Sequence, residues 1–246
     1  NWITGNLDVE KNLIAALERR GLGVIPAFCY SLKDGNIGNM GGAEVVEEFF
    51  CRGGRPLVVG IVRLSSFYLG KSRGSAGASE SSAGAELMKR LNIPIFNPVI
   101  SYYKNHEEWL DDSRGLGSQI AWSVAMPEFE GVIEPVIAGV TANAESPADE
   151  HYEALPGRIG KIARRVERWI DLARTPNSEK KIVIMLHNNP CGSVEGTVGS
   201  ATHLDALDSA ADILKRLESE GYRVVAPSGG KELIDAIMDR KAVSEF

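Results

Sequence analysis

The chain has 246 residues, 43% of them apolar and 24% charged, with a net charge of −6 at neutral pH; this balance belongs to globular chains and excludes fibrous and disordered classes. No run of about 18 apolar residues is present, so a membrane span is not expected, and the acidic balance, with Arg164, Arg165 and Arg168 as its densest basic group, argues against nucleic acid as a partner. Cys29, Cys51 and Cys191 stand far apart with no C-x-x-C pair, which fits a reducing, cytoplasmic compartment and argues against a cysteine zinc site.

The first residues, Asn1-Trp2-Ile3-Thr4-Gly5, do not read as a basic and then apolar leader. With no initiator Met and helical spacing at Leu7, Leu13, Ile14 and Leu17, the chain is expected to start inside a larger protein. A helix over Val9 to Arg20 ends at Gly21, a residue suited to a helix C-terminus. Strand-like and helix-like pieces then alternate: Val24 to Tyr30, Ala43 to Phe50, Pro56 to Val62, Glu86 to Leu91 and Ile95 to Ile100. Such alternation predicts βαβ crossovers and a parallel sheet. The Ser/Gly/Ala-rich stretch from Ser72 to Gly84 reads either as a loop or as a weak helix start. Cys29, inside an apolar run, is expected to be a small core residue.

Pro156 to Arg174 predicts a long helix, with Ile159, Ile162, Val166, Trp169, Ile170 and Ala173 at helical spacing and Thr175-Pro176-Asn177 as its stop. Lys180 to Leu186 reads as a strand, Ala206 to Glu218 as a helix, and Tyr222 to Ala226 as a strand. Lys231 to Met238 reads as a helix begun by Ser228-Gly229-Gly230. The predicted fold class is α/β: two Rossmann-like lobes with parallel sheets flanked by helices, joined by a long helix. The expected divisions are 1–150, a first lobe truncated at its N-terminus; 151–180, the linker helix; and 181–246, a second and incomplete lobe.

His187 closes the run Ile182 to Leu186 and opens a loop containing Asn188, Asn189, Gly192, Gly196 and Gly199. A strand that passes through a Gly-rich loop into a helix is where α/β proteins hold ligands, because small residues let backbone amides approach them. The competing reading is an ordinary loop rich in left-handed residues. The glycine spacing is not G-x-G-x-x-G, which argues against NAD. Gly70-Lys71-Ser72 fails as a phosphate-cradling loop because the position five residues before Gly70 is Ser65. His187 is either a metal ligand or proton acceptor or a histidine orienting its loop.

Met126 to Pro135 places Glu128, Glu130 and Glu134 within seven residues. Glu134, between Ile133 and Pro135, is a carboxylate among apolar neighbours, a setting that raises a pKa unless a cation pairs with it. The bland alternative is a salt bridge to an arginine such as Arg114.

These segments resemble the large subunit of the tetrapyrrole metal chelatases, the family of the cobaltochelatase large subunit and the magnesium chelatase H subunit, across nearly the whole chain. The resemblance rests on Glu108-Trp109, Ser113-Arg114-Gly115-Leu116, Val124 to Pro127, Pro127-Glu128-Phe129-Glu130-Gly131 and Glu134-Pro135, in that order. Arg168-Trp169, Arg174 to Lys181, Leu204 to Ser209 and Leu217 to Tyr222 extend it. Where the family usually has an Asn-Tyr-Pro-like triplet and a Gly-x-Ile/Val-Gly turn, this chain has Asn188-Asn189-Pro190, with Glu195 at an expected glycine.

The resemblance implies ATP-dependent insertion of cobalt into a corrin precursor, as in cobalamin biosynthesis, or of magnesium into protoporphyrin IX. It implies ATP hydrolysis by separate motor subunits, which is consistent with the failed phosphate loop. Insertion strips water from a hard cation and removes two protons from pyrrole nitrogens. Glu128, Glu134 and His187 are therefore the expected catalytic groups, with Glu134 and His187 as transient metal contacts and His187 opposite the carboxylates on the other lobe. Asn188, Asn189, Gly192, Gly196 and Gly199 are the expected contacts to the macrocycle. The fragment alone is expected to be inactive. The competing functions are a non-catalytic two-lobe module closing on a small molecule and a scaffold for motor subunits. A hydrolase is disfavoured, because no G-x-S-x-G elbow is present.

Overall fold

The computed structural model describes residues 4–29, 33–34, 36–70, 78–142, 151–187, 198–201 and 203–240. They fall into two units, residues 1–171 and 172–246. In the first, helix α1 (Asp8–Glu18) stops at Gly21, whose φ of +75° a side chain would strain. Leu22 N donates to Leu17 O at 3.3 Å and Gly21 N to Glu18 O at 2.9 Å, the paired bonds that satisfy the last carbonyls of a helix ending in a left-handed glycine. Helix α2 (Gly42–Phe50) leads into a two-stranded antiparallel ribbon, β1 (Cys51–Arg52) and β2 (Arg55–Pro56).

The central sheet has four strands in the order β3 (Ile61–Val62), β4 (Ile95–Ser101), β5 (Ile133–Thr141), β6 (Tyr152–Ala154). β3, β4 and β5 run parallel, and β6 closes the edge antiparallel to β5. Helix α3 (Ala78–Leu91) lies between β3 and β4 in the chain. Between β4 and β5 come α4 (His106–Asp111), a 3-10 turn (Gly117–Gln119), a π-helical turn (Ala121–Ala125) and the short α5 (Met126–Phe129). Asn105 caps α4, accepting from Glu108 N at 2.9 Å, while Glu108 accepts from Asn105 N at 3.0 Å. This reciprocal box satisfies two otherwise orphaned amides.

The alternation of β4 divides the core. Phe96 and Ile100 join Val9, Leu13, Ala16 and Leu17 of α1 and Ile159, Ile162, Ala163, Val166 and Ile170 of α6 (Pro156–Arg174). Ile95 joins Val46 of α2, Leu87 and Leu91 of α3, Ile61 and Val132 on the other side. Each such side chain removed from water contributes about 1.5–3 kcal/mol, so α1 and α6 are held to the sheet chiefly by these stripes. Gly139 of β5 lets α1 approach closely: a Cβ there would stand 2.5 Å from Val9 Cγ2 and 2.7 Å from Glu153 O.

In the second unit, β7 (Ser200–Ala201) and β8 (Leu204–Asp205) form an antiparallel pair. Helix α7 (Ala206–Ser219) is capped by Asp205, which accepts from Asp208 N at 3.0 Å. Asp208 Oδ1 in turn accepts from Gly230 N at 2.6 Å, tying α7 to the start of α8 (Gly230–Asp239).

Three expected strands are corrected. Residues 24–29, 180–187 and 222–226 belong to no strand. Val183, Met185 and Val225 are 83%, 89% and 92% exposed, so these apolar runs have no neighbouring strand to complete their backbone hydrogen bonds among the described residues. Cys29 is half-buried rather than a core residue.

Candidate functional site

Glu134 stands at a distortion. Between the pairs Phe96↔Ile133 and Pro98↔Val136, β5 carries one residue more than β4, and Glu134 has φ +59°. A bulge of this kind re-aims a side chain, and a left-handed backbone at a non-glycine residue is a costly conformation that surrounding contacts must hold in place. Here both carboxylate oxygens bond Arg165 of α6, and Trp169 Nε1 donates to Oε1 at 2.9 Å. The expected partner, Arg114, is bound instead to Asp112, at 3.0 Å from Nε. The Arg165 guanidinium, with Trp169 in support, holds the Glu134 carboxyl below its ordinary pKa against the opposing effect of burial. Glu134 is therefore an ionised carboxylate near neutral pH and a poor proton acceptor.

Glu128 lies on α5 rather than on a loop, and is exposed. Glu130, two residues on, is 2% exposed and was not distinguished by the sequence. Its Oε2 accepts from Arg63 Nη1 at 3.1 Å, with both side chains buried, and Leu69 N donates to its two oxygens at 2.9 and 2.8 Å. Burial pushes this carboxyl up despite the Leu69 amide and Arg63. Arg63 also bonds Ser65 Oγ at 2.9 Å and the carbonyls of Ser66 and Phe67. One guanidinium thus organises the whole turn that follows β3.

Past the carboxyl ends of β3 and β4 lies a cluster of aromatic rings. Trp122, on the π-helical turn, is stacked with Phe67 at a centroid distance of 5.5 Å and with Tyr102 at 5.6 Å. Tyr102 meets Tyr152 edge to face at 5.2 Å, and Tyr103 meets Trp122 at 6.4 Å and 87°. Below the π-helical turn, Asn97 Nδ2 donates to Ser123 O at 2.8 Å, and Gln119 Nε2 donates to Ile100 O at 2.6 Å while its Oε1 accepts from Tyr102 N at 3.1 Å. Buried polar groups are tolerated only when bonded in this way, and π-turns occur frequently at functional sites. Tyr102-Tyr103, directly after an apolar strand, was the sequence signal that could have led here.

His187 is exposed, and its carbonyl accepts from Gly199 N at 2.8 Å. Gly199 is buried with φ +72°, and a Cβ there would meet Ala206 Cβ at 3.1 Å. Asn188, Asn189, Gly192, Gly196 and Lys71 lie outside the described residues. Among the described residues no cluster of three or more His, Cys, Asp or Glu could hold a metal ion. A cavity of about 590 Å³ opens beside α2, with Lys33, Met40 and Glu44 in its wall, and none of the predicted site residues lines it. No helix among the described residues is long and apolar enough to cross a membrane.

The fold is similar to part of a solved structure, the catalytic subunit of cobaltochelatase from Mycobacterium tuberculosis, with a TM-score of 0.72 at 24% identity over 96% of this chain and 19% of that one. The sequence matches the CobN/Magnesium Chelatase family over residues 1–246, and the chain belongs to that family. An uncharacterized protein of Methanocaldococcus jannaschii is 41% identical over 99% of the chain and 20% of its own length. The magnesium-chelatase subunit ChlH of Oryza sativa subsp. indica is 30% identical over 97% of the chain and 16% of its own length. The aerobic cobaltochelatase subunit CobN of Pseudomonas aeruginosa is 32% identical over 67% of the chain and 14% of its own length. The chain thus spans a fifth or less of the length of these relatives.

Proposed function

We propose that this chain is part of the tetrapyrrole-binding large subunit of an ATP-dependent metal chelatase that inserts cobalt into a corrin precursor in the cytoplasm. The observation that carries this reading is the family match across all of residues 1–246. Cobalt is preferred on the 32% identity to the cobaltochelatase subunit. Magnesium insertion into protoporphyrin IX is the second reading, favoured by the 97% coverage of the chain by the magnesium-chelatase subunit. ATP hydrolysis is assigned to separate motor subunits, in keeping with Ser65 at the position where a phosphate loop needs glycine.

In this reading Glu128 and Glu134 act on the hydrated cation, for which carboxylate oxygens are suited ligands, and Glu134, held ionised by Arg165, does not take the pyrrole protons. Arg165 keeps Glu134 ionised, and Oε2, which accepts from Arg165 Nε, retains a second lone pair for a metal. His187 takes protons, the task for which an imidazole is suited near neutral pH. Asn188, Asn189 and the amides at Gly192, Gly196 and Gly199 contact the carboxylate or amide arms of the ring. The test is the rate of metal insertion by the intact protein with its motor subunits. Glu134→Gln is expected to lower it at least tenfold with macrocycle binding unchanged; insertion at the normal rate removes Glu134 from the machinery.

A further inference from the structure

We infer that the exposed face of Tyr103, at the carboxyl end of β4, is a stacking surface for a planar, conjugated ring that carries carboxylate arms. The inference rests on the chelatase reading above and adds to it a first docking place for the macrocycle, ahead of the loop contacts and the cation contact at which insertion takes place. Tyr103 is 71% exposed, yet it belongs to a supported assembly: its ring stands at 87° to Trp122, which is itself stacked with Phe67 and Tyr102. A large exposed aromatic ordinarily costs free energy in water. One set edge-on against Trp122, a ring itself held between Phe67 and Tyr102, is preorganised to stack, so a ligand gains contact with less ordering of the side chain.

The charge beside it fits the arms of such a ring. Lys104, the next residue, and Arg114 both reach Asp112, with N to O distances of 2.8 and 3.0 Å, so two cations share one carboxylate and the trio is left with a net positive charge. The Arg114 side chain is 84% exposed; Asp112 holds its Nε and Nη2, each at 3.0 Å, which leaves Nη1 to donate to a ligand carboxylate. The location agrees with the general habit of open α/β sheets, which bind ligands beyond the carboxyl ends of their parallel strands. It is distinct from Glu134: from Glu134 to Val140, near the far end of β5, is about 20 Å of strand. The cation and the ring would therefore first be met at opposite ends of one sheet.

Titration of the intact protein with metal-free protoporphyrin IX and with a metal-free corrin bearing free carboxylates tests this, following macrocycle absorbance and tryptophan quenching. Tyr103→Ala is expected to weaken binding about five- to tenfold, the range for loss of one aromatic stack, and Tyr103→Phe to restore it to within about twofold. Arg114→Gln is expected to weaken binding about threefold and to reduce its dependence on salt. Trp122→Phe is expected to reduce the quenching while leaving the absorbance change. Wild-type affinity in Tyr103→Ala overturns this inference alone, whereas absence of binding by either ring to the wild-type protein overturns the chelatase reading as well.

Discussion

Glu130 and Glu134 stand four positions apart on either side of one turn, each bonded to an arginine, and their carboxyls shift in opposite directions. At Glu130 both partners are buried, and loss of hydration outweighs the cation. At Glu134 the arginine side chain is 48% exposed, and the cation outweighs the partial burial of the carboxylate. An arginine partner does not by itself set the protonation of a carboxylate; the water left around the pair does. The first pair serves to fix the turn behind the aromatic cluster, and the second to hold a charged group at a strained bend.

The sharpest way to break this contrast is Arg63→Met. It leaves the Glu130 carboxylate buried without its counter-ion, and a loss of about 3–5 kcal/mol is expected in denaturant unfolding. Because Glu130 can then accept a proton, the loss should shrink in acid; a loss below about 1 kcal/mol would show that the pair is not a structural anchor.

Gly84→Ala should disturb the same pair from the α3 side, since a Cβ there would fall 1.8 Å from Glu130 Oε1. Overpacking of this kind costs about 1–3 kcal/mol, while Gly157→Ala on α6, where nothing lies within 4 Å, should be neutral or stabilising by up to about 1 kcal/mol. Equal effects at the two glycines in thermal melts would contradict the close contact at Gly84.

The smallest effect is expected at Glu134→Gln, below about 1 kcal/mol at neutral pH, because the Arg165 end of the pair is open to water. Its sign with pH is definite. A carboxyl whose folded pKa lies below the unfolded one stabilises above about pH 4.3, and that stability is lost as pH falls through the folded value. Glu134→Gln should therefore lessen the destabilisation of the protein in acid. Glu130, shifted upward, contributes with the opposite sign: its share is present at low pH and lost as pH rises through the folded value.

Much of the frame was legible in the sequence because it is written in short-range patterns. Pro156 to Arg174 is helical over the expected span, since its apolar stripe and proline boundaries are local signals. The helices at the start and near the end of the chain also form about where their spacing and glycines place them. Strands at 182–186 and 222–226 were misread because an apolar run shows the tendency to pair without showing a partner. β6 is not legible because its alternation, Tyr152-Glu153-Ala154, runs for only three residues, too few to stand out from a loop. The site was less legible still. The Arg165 that binds Glu134 is far along the chain, and nothing in Pro127-Glu128-Phe129-Glu130-Gly131 distinguishes the exposed Glu128 from the buried Glu130. The bracing of Trp122 depends on Phe67 and Tyr102, which come from separate strand ends.

The π-helical turn at Ala121–Ala125 makes the orientation of Trp122 a matter of counting. Each residue added to or taken from a helix turns everything beyond it by about 100°. Removing one residue from this turn would let the segment relax to α-helical spacing and swing the indole out of the stack without changing the identity of any remaining residue. The plane offered to a ligand is thus specified by the length of the segment as much as by its composition, and a relative one residue shorter here would keep the fold and lose the surface.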